Sequence, residues 1–550
     1  MRALLLIFSL AGAATAQKSV APQTQDAAQP DLKPEDKCVI EGNVYNSLTG
    51  EPLKKAEIVL SLQDRAMQPL TAAITDAAGH YSIDDVAPGR YHVMARRNGF
   101  VDTRRSMSAA AGSLLTLGKG QHVTDVNFRL IPQGVVTGRV LDEDDEPMGN
   151  VNVSLLRRTY QNGAKTLQAV DSSASDDRGE YRIHGISPGR YYVLAVYNPM
   201  RFQQEPVIMK EDKGGYVPVY YPNSPGKFAG ASEITVAAGA ETNGVDFRLT
   251  RVHTVRVEGK VTNLPASGRS VVTLGPLDGS EGLGWTVRRR QFADTRGHFA
   301  FTDIMPGAYL LMAQAGSQES YLAAVSGIDV GQTNATGIVL ALGTLPGITG
   351  TVSTEGLDTS HFGLRVALRP LVPQPGMFFG GPAEVQQDGA FRIDSVQPGR
   401  YRLTMPGLPA DWYVKSVRLG QSEVADGIVD FSRGAAGELN IVISGRAGEI
   451  DGQVLKKEAA APGATVVLVP DQRDTYNLFQ STVADMNGSF TIKGIAPGNY
   501  KLFAWDQVEY NAWTDPEFLQ PFEDAGQAVV VRESDKLTKN PQLIVTADKR

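Results

Sequence analysis

The sequence predicts an all-β protein built as a tandem array of five β-sandwich modules. The first observation is a short turn–strand–turn–strand phrase that returns five times along the 550 residues. The second is a content of 57 glycines and 31 prolines, which suits many short strands joined by turns. The third is that no stretch of persuasive length shows a helical period. Strands at short intervals between turn residues are typical of a β-sandwich.

The repeated phrase is clearest at residues 76–95. Asp76 and Gly79 suit a tight turn in which the glycine takes a positive φ angle. From Tyr81 onward, apolar and polar residues alternate, as they do in a half-buried strand. Pro88 and Gly89 then fit the two central positions of a type II turn. A second alternating strand follows, so the phrase predicts two strands and the turns that introduce them.

Five copies of this phrase lie about a hundred residues apart, which is an ordinary domain size. The spacing between the first turn residue and the proline is the same in each copy. The turn residues are Asp76, Asp176, Asp294, Gln386 and Asp485, the aromatic residues after the turn are Tyr81, Tyr181, Phe299, Phe391 and Phe490, and the prolines are Pro88, Pro188, Pro306, Pro398 and Pro497. We therefore expect one module repeated five times, each copy with its own core.

A Gly-x-Val phrase opens each module, and a short apolar strand closes it. The opening glycines are Gly42, Gly138, Gly259, Gly350 and Gly452, and the closing strands are expected at 126–130, 245–249, 338–340, 439–443 and 543–545. The predicted division is a signal peptide at 1–16, a flexible leader at 17–36, and modules 1 to 5 at 37–133, 134–251, 252–343, 344–445 and 446–550. Linkers of a few residues predict limited hinge freedom and an extended rod or a curved string.

The N-terminus has the pattern of a secretory signal peptide. Arg2 precedes an apolar run at 3–10, and small residues lead to an A-x-A site at 14–16. We expect export by this signal to the periplasm, the cell surface or the extracellular space. Cys38 is the single cysteine, so no intrachain disulfide forms, and we expect it to be buried at the start of a strand. A net charge of −7 spread along the chain does not favour nucleic-acid binding.

These motifs resemble the carboxypeptidase regulatory-like domain. The resemblance rests on the opening Gly-x-Val, the D-x-x-G-x-[YF] turn and the P-G-x-Y strand entry, and it covers nearly all of the chain after residue 37. It implies an Ig/transthyretin-like β-sandwich of about seven strands, also described as a carbohydrate-binding-like fold, in a multi-repeat secreted bacterial protein. Module 3 departs from the pattern at Ala308 and module 4 at Gln386. The motif is specific for fold and says little about function.

The sequence gives no support for catalysis. The module resembles the accessory domain of metallocarboxypeptidases, whereas the peptidase itself needs a His-x-x-Glu pair and a distant histidine around zinc. None of the seven histidines has Glu three residues later, and no nucleophile elbow, phosphate-binding loop or cysteine pair occurs. The acidic run at 142–146 sits where a hairpin turn is expected, and a solvated turn is favoured there over calcium ligation. We expect no enzymatic activity, no cofactor and no metal site.

A further set of tyrosines follows the Pro-Gly turns. They are Tyr91, Tyr191, Tyr309, Tyr401 and Tyr500. We interpret them as structural residues whose hydroxyls bond to a nearby backbone group, as in the tyrosine corner of immunoglobulin folds.

Two aromatic-rich insertions are the candidate binding sites. One begins near residue 197 in module 2, and the other covers 505–518 in module 5, in a chain whose aromatic fraction is only 7%. Flat aromatic faces can stack on sugar rings while nearby polar groups bond the hydroxyls. The residues expected to bind a ligand are Tyr216, Tyr220, Tyr221, Trp505, Tyr510 and Trp513. The alternative is that they cover the sandwich edges or fill contacts between modules.

Three functions remain open on the sequence. The first is a non-catalytic exported binding protein of the cell envelope or surface, with a glycan or another envelope protein as its partner and with no membrane-spanning segment in the mature chain. Repetition of the module would supply reach and avidity. The second is a passive stalk or spacer. The third is an enzyme or an accessory part of a metallocarboxypeptidase system.

Overall fold

The computed structural model of the protein describes most of the chain after its N-terminal segment. The described residues are 33–62, 69–102, 113–161, 164–197, 215–226, 228–265, 270–276, 289–316, 322–355, 363–371, 381–424, 426–432 and 437–546. The predicted signal peptide and most of the predicted leader lie outside these ranges. Within them the chain is almost entirely β-structure, which confirms the predicted fold class.

Module 1 is a sandwich of two sheets. Its strands are β1 (Cys38–Asn46), β2 (Glu57–Leu62), β3 (Pro69–Ile74), β4 (His80–Val86), β5 (Gly89–Arg96), β6 (Phe100–Asp102), β7 (Ser113–Leu117), β8 (His122–Val123) and β9 (Phe128–Pro132), preceded by a 3-10 turn at Pro34–Asp36. One sheet has the order β4-β1-β9-β6, with β8 also beside β1, and the other has the order β3-β2-β5-β7. Ile40, Leu60 and Phe128 are among the buried side chains that fill the space between the sheets.

Module 2 repeats this plan with longer strands in its second sheet. Its strands are β10 (Gly134–Leu141), β11 (Val151–Gln161), β12 (Ala164–Ala174), β13 (Glu180–Ile186), β14 (Gly189–Tyr197), β15 (Gly215–Tyr216), β16 (Val219–Tyr220), β17 (Ser224–Pro225), β18 (Ile234–Val236), β19 (Glu241–Thr242), β20 (Phe247–Arg248) and β21 (Arg251–Val252), with a 3-10 turn at Phe228–Gly230. The sheets have the orders β13-β10-β19, with β20 also on β10, and β12-β11-β14-β16-β17, with β18 also on β14. β15 pairs with β21.

Modules 3 and 4 have the same two-sheet plan. Module 3 consists of β22 (Val255–Thr262), β23 (Val271–Pro276), β24 (Arg289–Phe292), β25 (His298–Ile304), β26 (Gly307–Ala315), β27 (Leu322–Val330), β28 (Ala335–Ala341) and β29 (Gly343–Thr344). Module 4 consists of β30 (Ile348–Glu355), β31 (Arg365–Pro370), β32 (Ala383–Glu384), β33 (Ala390–Ile393), β34 (Arg400–Thr404), β35 (Tyr413–Leu419), β36 (Ser422–Glu423), β37 (Ile428–Asp430) and β38 (Leu439–Ser444). The sheet orders are β25-β22-β28 and β24-β23-β26-β27-β29 in module 3, and β33-β30-β38-β35-β36 and β32-β31-β34-β37 in module 4.

Module 5 contains a short α-helix in its insertion. Its strands are β39 (Gly448–Gln453), β40 (Leu455–Lys456), β41 (Ala459–Ala460), β42 (Thr465–Pro470), β43 (Gln480–Val483), β44 (Ser489–Ile495), β45 (Gly498–Trp505), β46 (Gln527–Val531), β47 (Lys536–Thr538) and β48 (Leu543–Ile544); its 3-10 turns are Tyr476–Leu478, Ala512–Thr514 and Gln520–Ala525, and its helix α1 is Pro516–Leu519. The sheets have the orders β44-β39-β47 and β43-β42-β45-β46, with β48 also on β45.

One connection is common to all five modules. The opening strand lies between the strand that follows the D-x-x-G turn, to which it is antiparallel, and a closing strand, to which it is parallel. The antiparallel pairs are β1–β4, β10–β13, β22–β25, β30–β33 and β39–β44, and the parallel pairs are β1–β9, β10–β20, β22–β28, β30–β38 and β39–β47. Each module is therefore completed only by its last residues.

The closing strand of module 5 differs from the prediction. The stretch at 543–545 was expected to be the closing strand; a strand is present there as β48, but it lies parallel to β45 in the second sheet and not beside the opening strand. β47 takes the closing position, with Leu537 opposite Ile450. The apolar residues of 543–545 suit burial against either sheet, whereas β47 has a single apolar residue and gives little signal in the sequence.

The opening Gly-x-Val has a steric cause. At each opening glycine a Cβ atom would lie less than 3.0 Å from a backbone carbonyl of the closing segment, closer than real Cβ atoms approach. The carbonyls belong to Val126 for Gly42, Val245 for Gly138, Ile338 for Gly259, Leu439 for Gly350 and Lys539 for Gly452. Only a residue without a side chain lets the two backbones meet, so this glycine is needed for the parallel pairing.

The tyrosines after the Pro-Gly turns are structural, as predicted. Each hydroxyl donates a hydrogen bond to the carbonyl oxygen four residues earlier in the chain. The pairs are Tyr91 with Ala87, Tyr191 with Ser187, Tyr309 with Met305, Tyr401 with Gln397 and Tyr500 with Ala496. The bond spans the turn that introduces the strand, and burial raises the pKa of the Tyr401 and Tyr500 hydroxyls to about 12. The prediction of a backbone-bonded tyrosine corner is confirmed in all five modules.

The turn aspartates act through their side chains. In four modules one carboxylate oxygen accepts hydrogen bonds from the backbone N–H groups two and four residues later, as Asp76 does from Ala78 and His80. The other three are Asp176, Asp294 and Asp485. Module 4 has Gln386 at this position, and Asp388 accepts one bond from the N–H of Ala390. Turn geometry therefore explains the repeated carboxylate.

Cys38 lies where the sequence predicts it. It is the first residue of β1 and is fully buried in the core of module 1. Its thiol donates to the carbonyl oxygen of Gly118, 2.9 Å away.

The five modules do not form an extended rod. Met486 of module 5 packs against the core of module 1. Lys165 of module 2 pairs with Glu517 of module 5 across 352 positions of sequence, with 2.7 Å between Nζ and Oε2. The extended-rod alternative is wrong because linker length limits hinge motion but does not set the direction of each turn. The array curves until module 5 contacts modules 1 and 2.

Candidate functional site

The insertion of module 2 covers the outer face of its second sheet. Tyr220 and Phe228 meet edge to face, with ring centroids 5.6 Å apart. They join Leu156, Leu167 and Leu194 in an apolar cluster on the side of the sheet away from the main core. Strand β11 is consequently buried on both faces over much of its length. Residues 198–214 of this insertion lie outside the described residues.

Tyr216 and Tyr221 are half-buried and make specific contacts. The Tyr216 hydroxyl donates to Glu143, 2.9 Å away, and the Arg251 guanidinium lies 5.1 Å from the Tyr216 ring centroid. Burial, followed by this hydrogen bond, raises the pKa of Tyr216 to about 12. Tyr221 packs against the main core, with its ring 6.0 Å from that of Phe247. Tyr216 thus ties the 142–146 turn to the link between modules 2 and 3.

The insertion of module 5 covers its second sheet in the same way. Trp505 is 0% exposed and stacks on Phe503, with ring centroids 5.1 Å apart and planes inclined by 9°. Phe518 and Phe522 also pack against this indole, with ring centroids 6.1 and 5.9 Å away. We call this set the aromatic cluster; its buried members are Val467, Val469, Phe503, Trp505, Val508, Ala512, Trp513, Leu519, Phe522 and Ile544. It is a second core outside the sandwich.

Tyr510 is the exposed aromatic residue of the predicted set. Trp513 is 3% exposed, whereas Tyr510 is 46% exposed and rests edge to face on Trp513, with centroids 5.6 Å apart. The residue after it, Asn511, has a left-handed backbone with φ of 64°. This sharp turn directs the chain into the buried Ala512–Thr514 segment and leaves Tyr510 at the surface.

The hairpin of β11 and β12 contacts this insertion. Tyr160 of β11 packs on the aromatic cluster, and its carbonyl oxygen accepts a hydrogen bond from the Asn511 amide, 3.5 Å away. Lys165 of β12 lies 2.7 Å from Glu517 and 3.2 Å from Asp515. The hydrogen bond to Glu517 is the main reason that the pKa of Lys165 is raised. Modules 2 and 5 therefore meet through apolar packing and through the two ion pairs that Lys165 makes with Asp515 and Glu517.

Glu509 lies beside this contact. Its side chain is solvent-accessible, yet burial raises the pKa of its carboxyl, while the charges of Arg157 and Arg190 act in the opposite direction. Its charge also acts on the Tyr160 hydroxyl, whose pKa is raised chiefly by burial.

The described residues contain no group of three or more His, Cys, Asp or Glu side chains placed to hold a metal ion. The 142–146 turn uses its acids otherwise. Asp142 accepts from the N–H groups of Asp144 and Glu146, and Asp145 pairs with Arg248. In the described part of the chain, no helix is both long enough and apolar enough to cross a membrane.

Sequence reasoning missed the contact between the β11–β12 hairpin and the insertion of module 5. Tyr160, Lys165 and Glu517 make this contact, and nothing in their local pattern marks them. The length of the β11–β12 hairpin was the available signal, since two strands of eleven residues reach beyond a sandwich of ordinary size.

The carboxypeptidase regulatory-like domain model matches residues 39–130 and 135–250. No curated protein sequence matches the chain. Among solved structures, the minor pilin of Streptococcus agalactiae is 14% identical, with 39% of this chain and 96% of that chain covered at a TM-score of 0.22. The major pilin subunit of Bacillus cereus is 10% identical, with 56% of this chain and 99% of that chain covered at a TM-score of 0.16. TM-scores this low give no guidance on function.

The two matched segments coincide with the sandwiches of modules 1 and 2. The opening glycine, the turn, and the Pro-Gly-x-Tyr entry have the same geometry in modules 3 to 5. The chain is a multi-repeat protein whose first two modules match the carboxypeptidase regulatory-like domain.

Proposed function

We propose that the protein is an exported, non-catalytic binding protein of the cell envelope or surface and that its ligand is a glycan. The exposure of Tyr510 carries this proposal. Trp505, Trp513 and Tyr220 of the two insertions are buried, whereas this ring is 46% exposed, with Glu509 and Asn511 as its neighbours in sequence. An aromatic face beside a carboxylate and an amide is the usual composition of a site for a polyhydroxylated ligand.

Five of the six predicted ligand residues remain candidates only for a supporting role. Trp505, Trp513 and Tyr220 are buried, and Tyr216 and Tyr221 are half-buried. In this arrangement their ring faces contact protein, so they would shape a site by holding Tyr510 and the hairpin in place.

The second candidate is a structural spacer. The burial of Trp505 and Trp513 favours it, because both insertions then serve to cover sheets and to join modules. A spacer needs rigid contacts between modules and no ligand.

Retention on immobilised polysaccharides separates the two candidates. The full chain is passed over neutral, acidic and amino-sugar polysaccharides and over isolated cell envelope. We expect retention on at least one polysaccharide, reversed by the soluble sugar. Retention on none of the surfaces would favour the spacer, and retention on envelope stripped of glycan would indicate an envelope protein as the partner.

A further inference from the structure

The closing strand of module 3 is an open sheet edge. In modules 1 and 4 the closing strand has a further antiparallel neighbour, β6 beside β9 and β35 beside β38. In modules 2 and 5 the closing strands β20 and β47 have only two and three residues. β28 has seven residues and is the last strand in the order β25-β22-β28. Within the described ranges no strand lies along its outer side, and β27, which precedes it, pairs with β26 and β29 in the other sheet.

Backbone groups of β28 point out from this edge. The N–H of Leu342, one residue beyond the strand, donates to the carbonyl oxygen of Thr262, 3.1 Å away. Successive residues of a strand direct their N–H and C=O groups to opposite sides, so Leu340 also faces β22, whereas Val339 and Ala341 face outward. The Val339 side chain is 62% exposed. The edge therefore offers donors and acceptors to a further strand.

β28 has little of the protection that edge strands usually have. Charged side chains, proline, bulges or a short length normally keep an edge from pairing with another chain. No charged residue and no histidine occurs from Gly331 to Thr354, and β28 contains no proline. Its one protective feature is a bulge near its start, where Gly337 has a φ of 73° and the register with β22 shifts. From Ile338 to Ala341 the register is regular.

The exposed stretch of β28 is symmetric in sequence. From Gly337 to Ala341 it reads small, aliphatic, valine, aliphatic, small. Leu340 is buried in the core of module 3 and Ile338 packs against that core, while Val339 points to the opposite face. When an identical strand pairs antiparallel with Val339 facing itself, Ile338 of each copy lies opposite Leu340 of the other, on the same face. The apolar inner row then continues from one copy into the next, and no charges oppose each other.

We propose that β28 is the interface for a second copy of this chain, with the two β28 strands paired antiparallel about a two-fold axis at Val339. The N–H and C=O groups of the two Val339 residues bond to each other, because these groups face the open edge. The two three-stranded sheets become one sheet of six strands, and the interface is the same patch on both copies.

The electrostatics and the size of this interface set its strength. Lys260 lies beside Val339 on β22, so the Lys260 residues of the two copies are three strand spacings apart, about 14 Å, and repel weakly at physiological salt. An interface between two strand edges is small, which is typical of transient association. Dimer formation is therefore expected at micromolar concentrations, and it does not depend on ligand binding.

Sedimentation equilibrium of the full chain between about 1 and about 300 µM tests the proposal. We expect a reversible equilibrium between monomer and dimer. Val339→Lys and Val339→Glu each place like charges opposite one another, and each should weaken the dimer at least roughly tenfold. An equimolar mixture of the two variants should dimerise again, because unlike charges then meet at the centre. Val530→Lys is the matched control, since Val530 is 60% exposed on the edge strand β46.

Hydrogen exchange on the same samples locates the interface. The β28 peptide should exchange more slowly as the concentration rises, and the β46 peptide should not change. Unfolding midpoints equal to that of the native chain show that the three variants fold. A native chain that stays monomeric over the whole range would overturn the proposal and leave the edge to a different protein or to none.

Two further results would also contradict it. Dimers that persist undiminished in Val339→Lys would place the interface on another surface. Dimers of the native chain, with none in the mixture of Val339→Lys and Val339→Glu, would overturn the two-fold pairing at Val339.

Discussion

Modules 1 and 2 and modules 3 to 5 solve one packing problem with different side chains. In the first pair the aromatic residue after the turn is tyrosine, and its hydroxyl donates to the carbonyl oxygen of the closing segment: Tyr81 to Val126 at 2.7 Å and Tyr181 to Val245 at 2.5 Å. In the other three the residue is Phe299, Phe391 or Phe490. All five modules keep the opening glycine against the same closing carbonyl.

The difference separates the residues that set the shape of the module from those that add to its stability. The close approach of the opening glycine to a closing carbonyl occurs in all five modules, whereas the hydrogen bond from the tyrosine hydroxyl occurs in two. In module 4 the tip of the Phe391 ring lies against the Gly350 backbone, where a Cβ atom would be less than 3.0 Å away, whereas the Tyr81 hydroxyl would be 3.1 Å from a Cβ on Gly42. The phenylalanine ring therefore sits closer to the glycine and fills the space that the hydroxyl uses elsewhere.

The largest expected effect comes from the opening glycine, and it should be equal in both groups of modules. Gly42→Ala and Gly350→Ala are each expected to destabilise their module by about 3 kcal/mol, because the added Cβ meets a backbone carbonyl that cannot move aside. Denaturant unfolding followed by hydrogen exchange of β1 and β30 peptides measures each module within the full chain. Gly331→Ala is the control, since no atom lies within 4 Å of its added Cβ. A loss confined to one group would break the comparison.

Substituting phenylalanine for tyrosine in module 1 and tyrosine for phenylalanine in module 4 should cost different amounts of stability. Tyr81→Phe removes a hydrogen bond and leaves the Val126 carbonyl without this donor, which is expected to cost about 1 kcal/mol. Phe391→Tyr pushes a hydroxyl into a site without space for it, and overpacking of this kind is expected to cost about 2 kcal/mol. Denaturant unfolding followed by hydrogen exchange of β4 and β33 peptides measures both losses of stability.

The double variant Tyr81→Phe/Phe391→Tyr supplies the control for this asymmetry. The two sites lie in separate cores, so the effects should add. A stabilising Phe391→Tyr would show that module 4 can adopt the arrangement of module 1, and the two groups would then differ only by chance substitution.

The smallest expected effect is a pH dependence that distinguishes module 3 from module 4. Burial acts to raise the pKa of Asp294, but hydrogen bonds from the His298 and Arg296 N–H groups and from the His298 ring outweigh it, and the pKa is lowered. A lowered folded-state pKa gives stability that is present above the ordinary Asp pKa and lost as pH falls through the lowered value. Urea unfolding between about pH 5 and pH 2 should show this loss in β25 peptides. Asp294→Asn should remove it, and module 4, with Gln386, should lack it at this position.

Much of each module follows from local patterns. The turn carboxylates, the tyrosine bonds across the Pro-Gly turns and the burial of Cys38 depend on residues within a few positions of one another or on a period of two. The closing strand at β47 was missed because a strand with one apolar residue carries almost no periodic signal. Trp505 was predicted as a ligand residue because nothing in the sequence indicated that it is buried. Residues of the insertion, Phe518 and Phe522, bury it, and their spacing has no regular period.

The contact between modules 2 and 5 was not predictable in the same way. It joins residues 352 positions apart, and its ion pair uses ordinary surface residues. The angle at each of the four links accumulates along the array, so a small change at one link moves module 5 by a large distance. Only the assembled chain specifies that Lys165 and Glu517 meet.

The parallel closing strand has a consequence for the order of synthesis. In module 1 the amide oxygen of Asn127 accepts from the N–H of Asn43, 84 residues earlier, and in module 2 Asp246 accepts from Arg139 across 107 residues. A ribosome must deliver nearly a whole module before its opening strand gains a second neighbour, and pairing over such separations is slow. Until then the strand presents an open edge to other chains. A gene shortened within a module should therefore give an aggregating product, whereas loss of a complete module leaves each remaining opening strand with both of its neighbours.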